Sequence, residues 1–138
     1  MKATYESIIT SYQVDVPQHL DPQDYVPVAE RFVAQGDVYA RLEPNLKPEG
    51  TGSPCHHIKV VAGDADRNSH ILHCPNGRWH PGSYRHQVAD YGLVLIPEGS
   101  VGYLTHTGEH GATGLAPGTW RLWGQCEMSN GEIRRVID

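Results

Sequence analysis

Residues 91–123 read YGLVLIPEGSVGYLTHTGEHGATGLAPGTWRLW, and three short apolar segments within them, 93–96, 101–104 and 120–122, are set apart by Pro-Glu-Gly and Ala-Pro-Gly. Proline pre-sets φ, and the glycine after it tolerates conformations other residues avoid, so such triplets join strands and interrupt helices. His106 and His110 stand between the second and third segments. The stretch predicts β-structure with imidazoles grouped at one end of it.

Working outward, the same grammar covers the chain from Gly36 onward. Strands are expected over 37–42, 56–61, 68–73, 83–88, 93–96, 101–105, 119–128 and 133–137, with the third ended by Pro75-Asn76-Gly77. About eight short strands at 8–12-residue spacing are the pattern of an all-β barrel or sandwich, here a cupin-like one. Within 119–128, Trp120, Leu122, Cys126 and Met128 share one face, while Arg121, Gln125 and Glu127 share the other. That period of two is the mark of a half-buried strand. Trp123 breaks it and is expected to cover a barrel end or a partner contact.

Residues 1–34 read differently. Short helices are expected over 4–12 and 28–33, separated by a piece broken at Pro17, Pro22 and Pro27. The expected organisation is an N-terminal arm, 1–34, and a β-barrel domain, 35–138. The arm is expected to pack on the barrel or on a neighbouring subunit.

Bulk composition narrows the function. The chain has 138 residues, with 15 Gly, 10 Pro and a single Phe. That is enough for one core without disulfides, and too much Gly and Pro for a helical bundle. A formal net charge of −5 and the lack of a basic stripe argue against nucleic acid as a partner. The first residues lack the apolar run of a secretory signal, and the longest aliphatic run, 93–96, is too short to span a bilayer. A cytoplasmic or virion-interior setting is expected. Cys55, Cys74 and Cys126 are odd in number and widely spaced, so they read as buried thiols and not as a disulfide framework.

The nine histidines are the compositional oddity. His70 shares a strand face with Asn68 and Leu72, and His106 shares one with Leu104, so both imidazoles point inward if the leucines do. Imidazoles converging inside a small barrel can hold Zn, Fe, Mn or Ni, the choice depending on geometry and the other ligands. His110 is the candidate third ligand. Glu109 and Asn68 are candidate groups for contacting a bound cofactor or substrate. Fewer than four protein ligands would leave a position open for chemistry. His56 and His57, adjacent in an expected strand, should point to opposite faces. His73, His80 and His86 flank a Gly/Pro loop and should be solvent-exposed. Phosphate loops, a GxSxG elbow and paired strand-end carboxylates are lacking, and no catalytic residue stands out.

Residues 35–138 resemble a family of small, largely uncharacterised bacterial and phage proteins. Its members open on a QGDV strand, carry Gly-His-x-His and His-x-x-His motifs with a Pro-Gly-Thr-aromatic turn, and close near Ile-Arg-Arg. The matching residues are Gln35-Gly36-Asp37-Val38, the stretch 62–70, the stretch 106–120 and Glu132-Ile133-Arg134-Arg135. Asn68 stands where the first motif has its first histidine, and His106 and His110 are one residue further apart than the second motif places them. The resemblance implies a compact β-barrel of phage or mobile-element type. Two functions are expected of it. One is binding of a divalent metal or small ligand in a His-lined pocket. The other is a non-enzymatic capsid- or tail-associated assembly role, in which the arm contacts identical subunits or other phage structural proteins.

Overall fold

Turn chemistry sets the strand boundaries in the computed structural model, which describes residues 3–9, 23–36, 38–61, 70–82, 89–106, 111–124, 126–129 and 132–135. The elements are α1 (Tyr5–Ile9), β1 (Val28–Ala29), β2 (Phe32–Gln35), β3 (Val38–Leu42), β4 (Ser53–Val61), β5 (His70–Pro81), β6 (Ala89–Ile96), β7 (Gly102–His106), β8 (Gly111–Leu115), β9 (Gly118–Gly124), β10 (Cys126–Ser129) and β11 (Glu132–Arg135). Among the described residues, nine strands join in one sheet, which curls into a nearly closed eight-strand barrel, and β10 pairs with β11 apart from it.

The 12-residue β5 is the hub. One edge pairs with β4 from Ser53↔Trp79 to Val61↔His70. Along the other edge β7 and β6 follow end to end, with His70↔His106 to His73↔Tyr103 and then Arg78↔Leu95 to Pro81↔Gly92. The unpaired interval on β5 is Pro75-Asn76-Gly77, expected to end the strand. It makes a corner inside the strand instead, because β4 stays paired on both sides of it. Opposite that corner the chain turns between β6 and β7, where Ser100 N–H donates to Pro97 O at 3.2 Å. From β6 the sheet continues through β9, β3 and β2, and from β7 through β8 and β1.

Inward residues form the core. Val38, Ala40, Leu72, Val94, Leu104, Leu115, Trp120 and Leu122 are fully buried. Each large aliphatic among them contributes roughly 1.5–3 kcal/mol relative to an exposed side chain. Trp120 can sit in the middle because its Nε1–H donates to Ala116 O at 2.8 Å. Trp123 lies outside instead, tilted against Tyr39 at 5.6 Å and beside the exposed Phe32 at 6.3 Å.

The first residues differ in part from expectation. Thr4 caps α1: Ser7 N–H donates to Thr4 Oγ1 at 3.2 Å, and Thr4 N–H donates back to Ser7 Oγ at 3.0 Å. Tyr5, Ile8 and Tyr103 pack on Val26 and Ala112. Residues 28–33, expected to be helical, contribute to strands β1 and β2 of the barrel sheet. The reason is that Val33 is buried in the barrel core, while β2 completes a hairpin with β3 around Gly36, whose φ of 58° suits a tight turn. The strand expected over 119–128 is broken at Gly124. Beyond it, β10 leaves the barrel to pair with β11. The strand expected over 83–88 lies outside the described residues.

Candidate functional site

His70 opens β5 and His106 closes β7, and the two are a directly opposed cross-strand pair. Both are fully buried, on the face that also carries Leu72 and Leu104. Their rings stack with centroids 3.9 Å apart and planes inclined by 12°. Two imidazolium charges at this spacing and out of water would repel strongly, so the pair carries at most one charge.

Gln35 orients this pair. It is buried at the end of β2, beside the Gly36 turn. Its Nε2 donates to Leu104 O at 2.9 Å, which turns Oε1 to within 3.0 Å of His70 Nδ1. An amide oxygen only accepts, so His70 Nδ1 carries the proton, and in the neutral ring the lone pair is on Nε2. That is how a side-chain carbonyl presets an imidazole for ligation. In the sequence alone Gln35 reads as the start of a strand motif and not as a site group. The signal was there: Gly-Asp between Phe32–Gln35 and Val38 is a two-residue hairpin loop, which places Gln35 at its closing pair.

The remaining candidates, Asn68, Glu109 and His110, fall outside the described residues. In sequence, Asn68 precedes His70 by two positions, and His110 adjoins Gly111, which pairs with His106. Among the described residues, no group of three or more His, Cys, Asp or Glu side chains stands where it could hold a metal ion. A cavity of about 530 Å³, lined by Arg31, Phe32, Arg41, Leu42 and Pro44, opens elsewhere and includes no histidine.

A second histidine group corrects the alternation expected of β4. The register runs Cys55↔Cys74 and then Ile58↔Leu72, so His56 and His57 together oppose His73. This is a β-bulge, and it brings both rings to His73, with centroids 5.7 Å and 4.9 Å away. His57 adopts φ 47°, a left-handed conformation unusual for a residue with a side chain. His73 and His80 are half-buried within β5 and do not sit in a loop. Burial, followed by the neighbouring His57 and His56, holds the His73 pKa below the ordinary imidazole value.

Behind that bulge Cys55 and Cys74 face each other, fully buried. Burial first, then the neighbouring Cys74, pushes the Cys55 thiol up to about 12. Burial also raises Cys74, partly offset by hydrogen bonds from the backbone of Asn76 and Gly77. Tyr103, opposite His73, is likewise raised by burial and then by Cys74. Neither cysteine suits thiolate chemistry at neutral pH.

Residues 34–125 match the model of a family described as a domain of unknown function, DUF8820, and the chain belongs to that family. No curated protein and no solved structure matches the chain. No helix among the described residues is long and apolar enough to cross a membrane.

Proposed function

We propose that this member of the DUF8820 family is a binding barrel, cupin-like in its use of inward histidines, that takes a divalent cation or a small ligand at its His70–His106 end. The observation that carries this reading is the Gln35–His70 hydrogen bond of 3.0 Å, which leaves the lone pair of a neutral His70 on Nε2. A buried imidazole with a fixed tautomer is a ready donor to Zn, Fe, Mn or Ni, or an acceptor for a ligand N–H or O–H.

The stack constrains how an ion enters. A metal lies in the plane of the imidazole that binds it, and rings 3.9 Å apart and inclined by only 12° do not share one in-plane point. His70, tied to Gln35, keeps its orientation while His106 turns out of the stack to complete the site. His110 is the proposed third ligand, with Asn68 and Glu109 contacting whatever is bound. Catalysis is not part of this reading.

A second reading, an assembly module of phage or mobile-element type, draws on the exposed Phe32 and the half-buried Tyr39 and Trp123 clustered outside the barrel. The phage context rests on the sequence resemblance.

Elemental analysis of the untagged protein beside His70→Ala and His106→Ala separates the two readings. Near-stoichiometric metal that falls in both variants supports binding at this end. Metal-free wild type that also fails to take up added Zn, Mn or Ni leaves the assembly role as the better account.

A further inference from the structure

The bulge in β4 sets a second group of imidazoles on the outside of the barrel, away from the buried pair. We propose that His56, His57 and His73 form a binding site for a late first-row divalent ion of the zinc, nickel or copper type, separate from the His70–His106 end.

Register supplies the first argument. In an unbroken strand His56 and His57 would face opposite ways, and only one could approach His73. The shift between Cys55 and Ile58 sets two imidazoles against one on the neighbouring strand. Bulges commonly re-aim side chains in this way next to functional sites.

Spacing supplies the second. A zinc ion sits ~2.0–2.1 Å from each imidazole nitrogen, which places ring centres roughly 3.2 Å from the ion and about 5 Å from one another at a tetrahedral angle. The observed separations from His73 are 4.9 Å to His57 and 5.7 Å to His56. Both separations from His73 are thus close to the spacing of two imidazoles on one ion. In their present orientations no three such side chains among the described residues could hold a metal ion, so binding requires the rings to turn their nitrogens toward a common point. His56 and His57 are exposed, so side-chain rotation can bring them in without repacking the core.

Backbone conformation supplies the third. His57 occupies φ 47°, where glycine would fit with less strain. A strained backbone that serves to place an imidazole is the pattern seen at ligand-holding positions. Three neutral nitrogens suit zinc, nickel or copper better than magnesium or calcium, which prefer oxygen. Three protein ligands also leave room for water or an outside donor.

The test is calorimetric titration of the full, untagged chain with Zn²⁺ alone, on wild type, His73→Ala, His57→Gly and His70→Ala. His57→Gly keeps a backbone compatible with φ 47° while removing the ring, so it stays informative even where His73→Ala folds poorly. The expected result is a saturable zinc site that persists in His70→Ala and weakens at least tenfold in His57→Gly and His73→Ala. Absence of saturable zinc binding in wild type overturns the proposal. So does a site lost in His70→Ala but untouched by His57→Gly, which assigns the ion to the inner pair.

Discussion

Gln35 and His70, 35 residues apart in the chain, meet inside the barrel through a 3.0 Å contact between Oε1 and Nδ1. The same amide donates to the backbone of Leu104. One side chain on β2 thus ties together β5 and β7, the strands that carry the two buried imidazoles.

Replacing Gln35 by Leu should therefore destabilise the fold. The substitution keeps approximate volume but removes the buried partners of an imidazole N–H and a carbonyl. Leaving such groups without those bonds costs about 1–3 kcal/mol. Urea denaturation of wild type and Gln35→Leu measures it, and equal midpoints would show that the amide is not a structural tie.

His57→Gly should act in the opposite direction. At φ 47° a residue with a Cβ is strained, and glycine is not. Relief of about 1 kcal/mol is expected, part of it returned through glycine's greater freedom when unfolded. His57→Val should lower stability, because branching at Cβ worsens the same conformation. Thermal unfolding of the three proteins gives the order Gly, His, Val from most to least stable.

The buried thiols predict an alkaline weakness. Cys55 is raised from 9.0 to about 12, so between those values the folded state holds a proton that the unfolded state releases. The stability linked to this group is complete below pH 9 and is lost as pH rises toward 12. Denaturant midpoints measured across that window should fall less steeply in Cys55→Ala than in wild type. At pH 8 both Cys55 and Cys74 should react with a thiol reagent only as fast as the chain opens.

Gly92→Ala should be among the most damaging single-methyl additions in the barrel. Gly92 has φ 145° at a register shift between β6 and β9, and a Cβ there would collide with the backbone oxygen of His80 and meet the Trp79 ring at 2.9 Å. A loss of about 2 kcal/mol or more is expected from strain and overpacking. Chemical denaturation checks it; an unchanged midpoint would mean that β5 and β6 can part locally without penalty.

Much of this molecule is written in its turns. Pro97-Glu98-Gly99 and Ala116-Pro117-Gly118 mark strand ends in 91–123, and the alternation of Trp120 and Leu122 identifies their inner face. The shared face of His70, Leu72, Leu104 and His106 follows from the same period of two. What local pattern could not supply is set by pairing across long separations. Pro75-Asn76-Gly77 resembles a strand terminator until β4 is seen to run past it. Residues 28–33 have a helical spacing until β8 and β3 claim them as strand partners. The bulge that unites His56, His57 and His73 is invisible in a single strand, because it exists only as a mismatch with the next one.

The most direct measurement of the central claim is the nitrogen NMR of the histidine side chains in ¹⁵N-labelled protein, with the His70 signals assigned by His70→Ala and recorded before and after adding Zn²⁺. The account predicts neutral His70 protonated at Nδ1, with the Nε2 resonance moving when zinc binds and the Nδ1–H retained. His70 protonated at Nε2 instead, or an Nε2 resonance unmoved at saturating zinc, would contradict it.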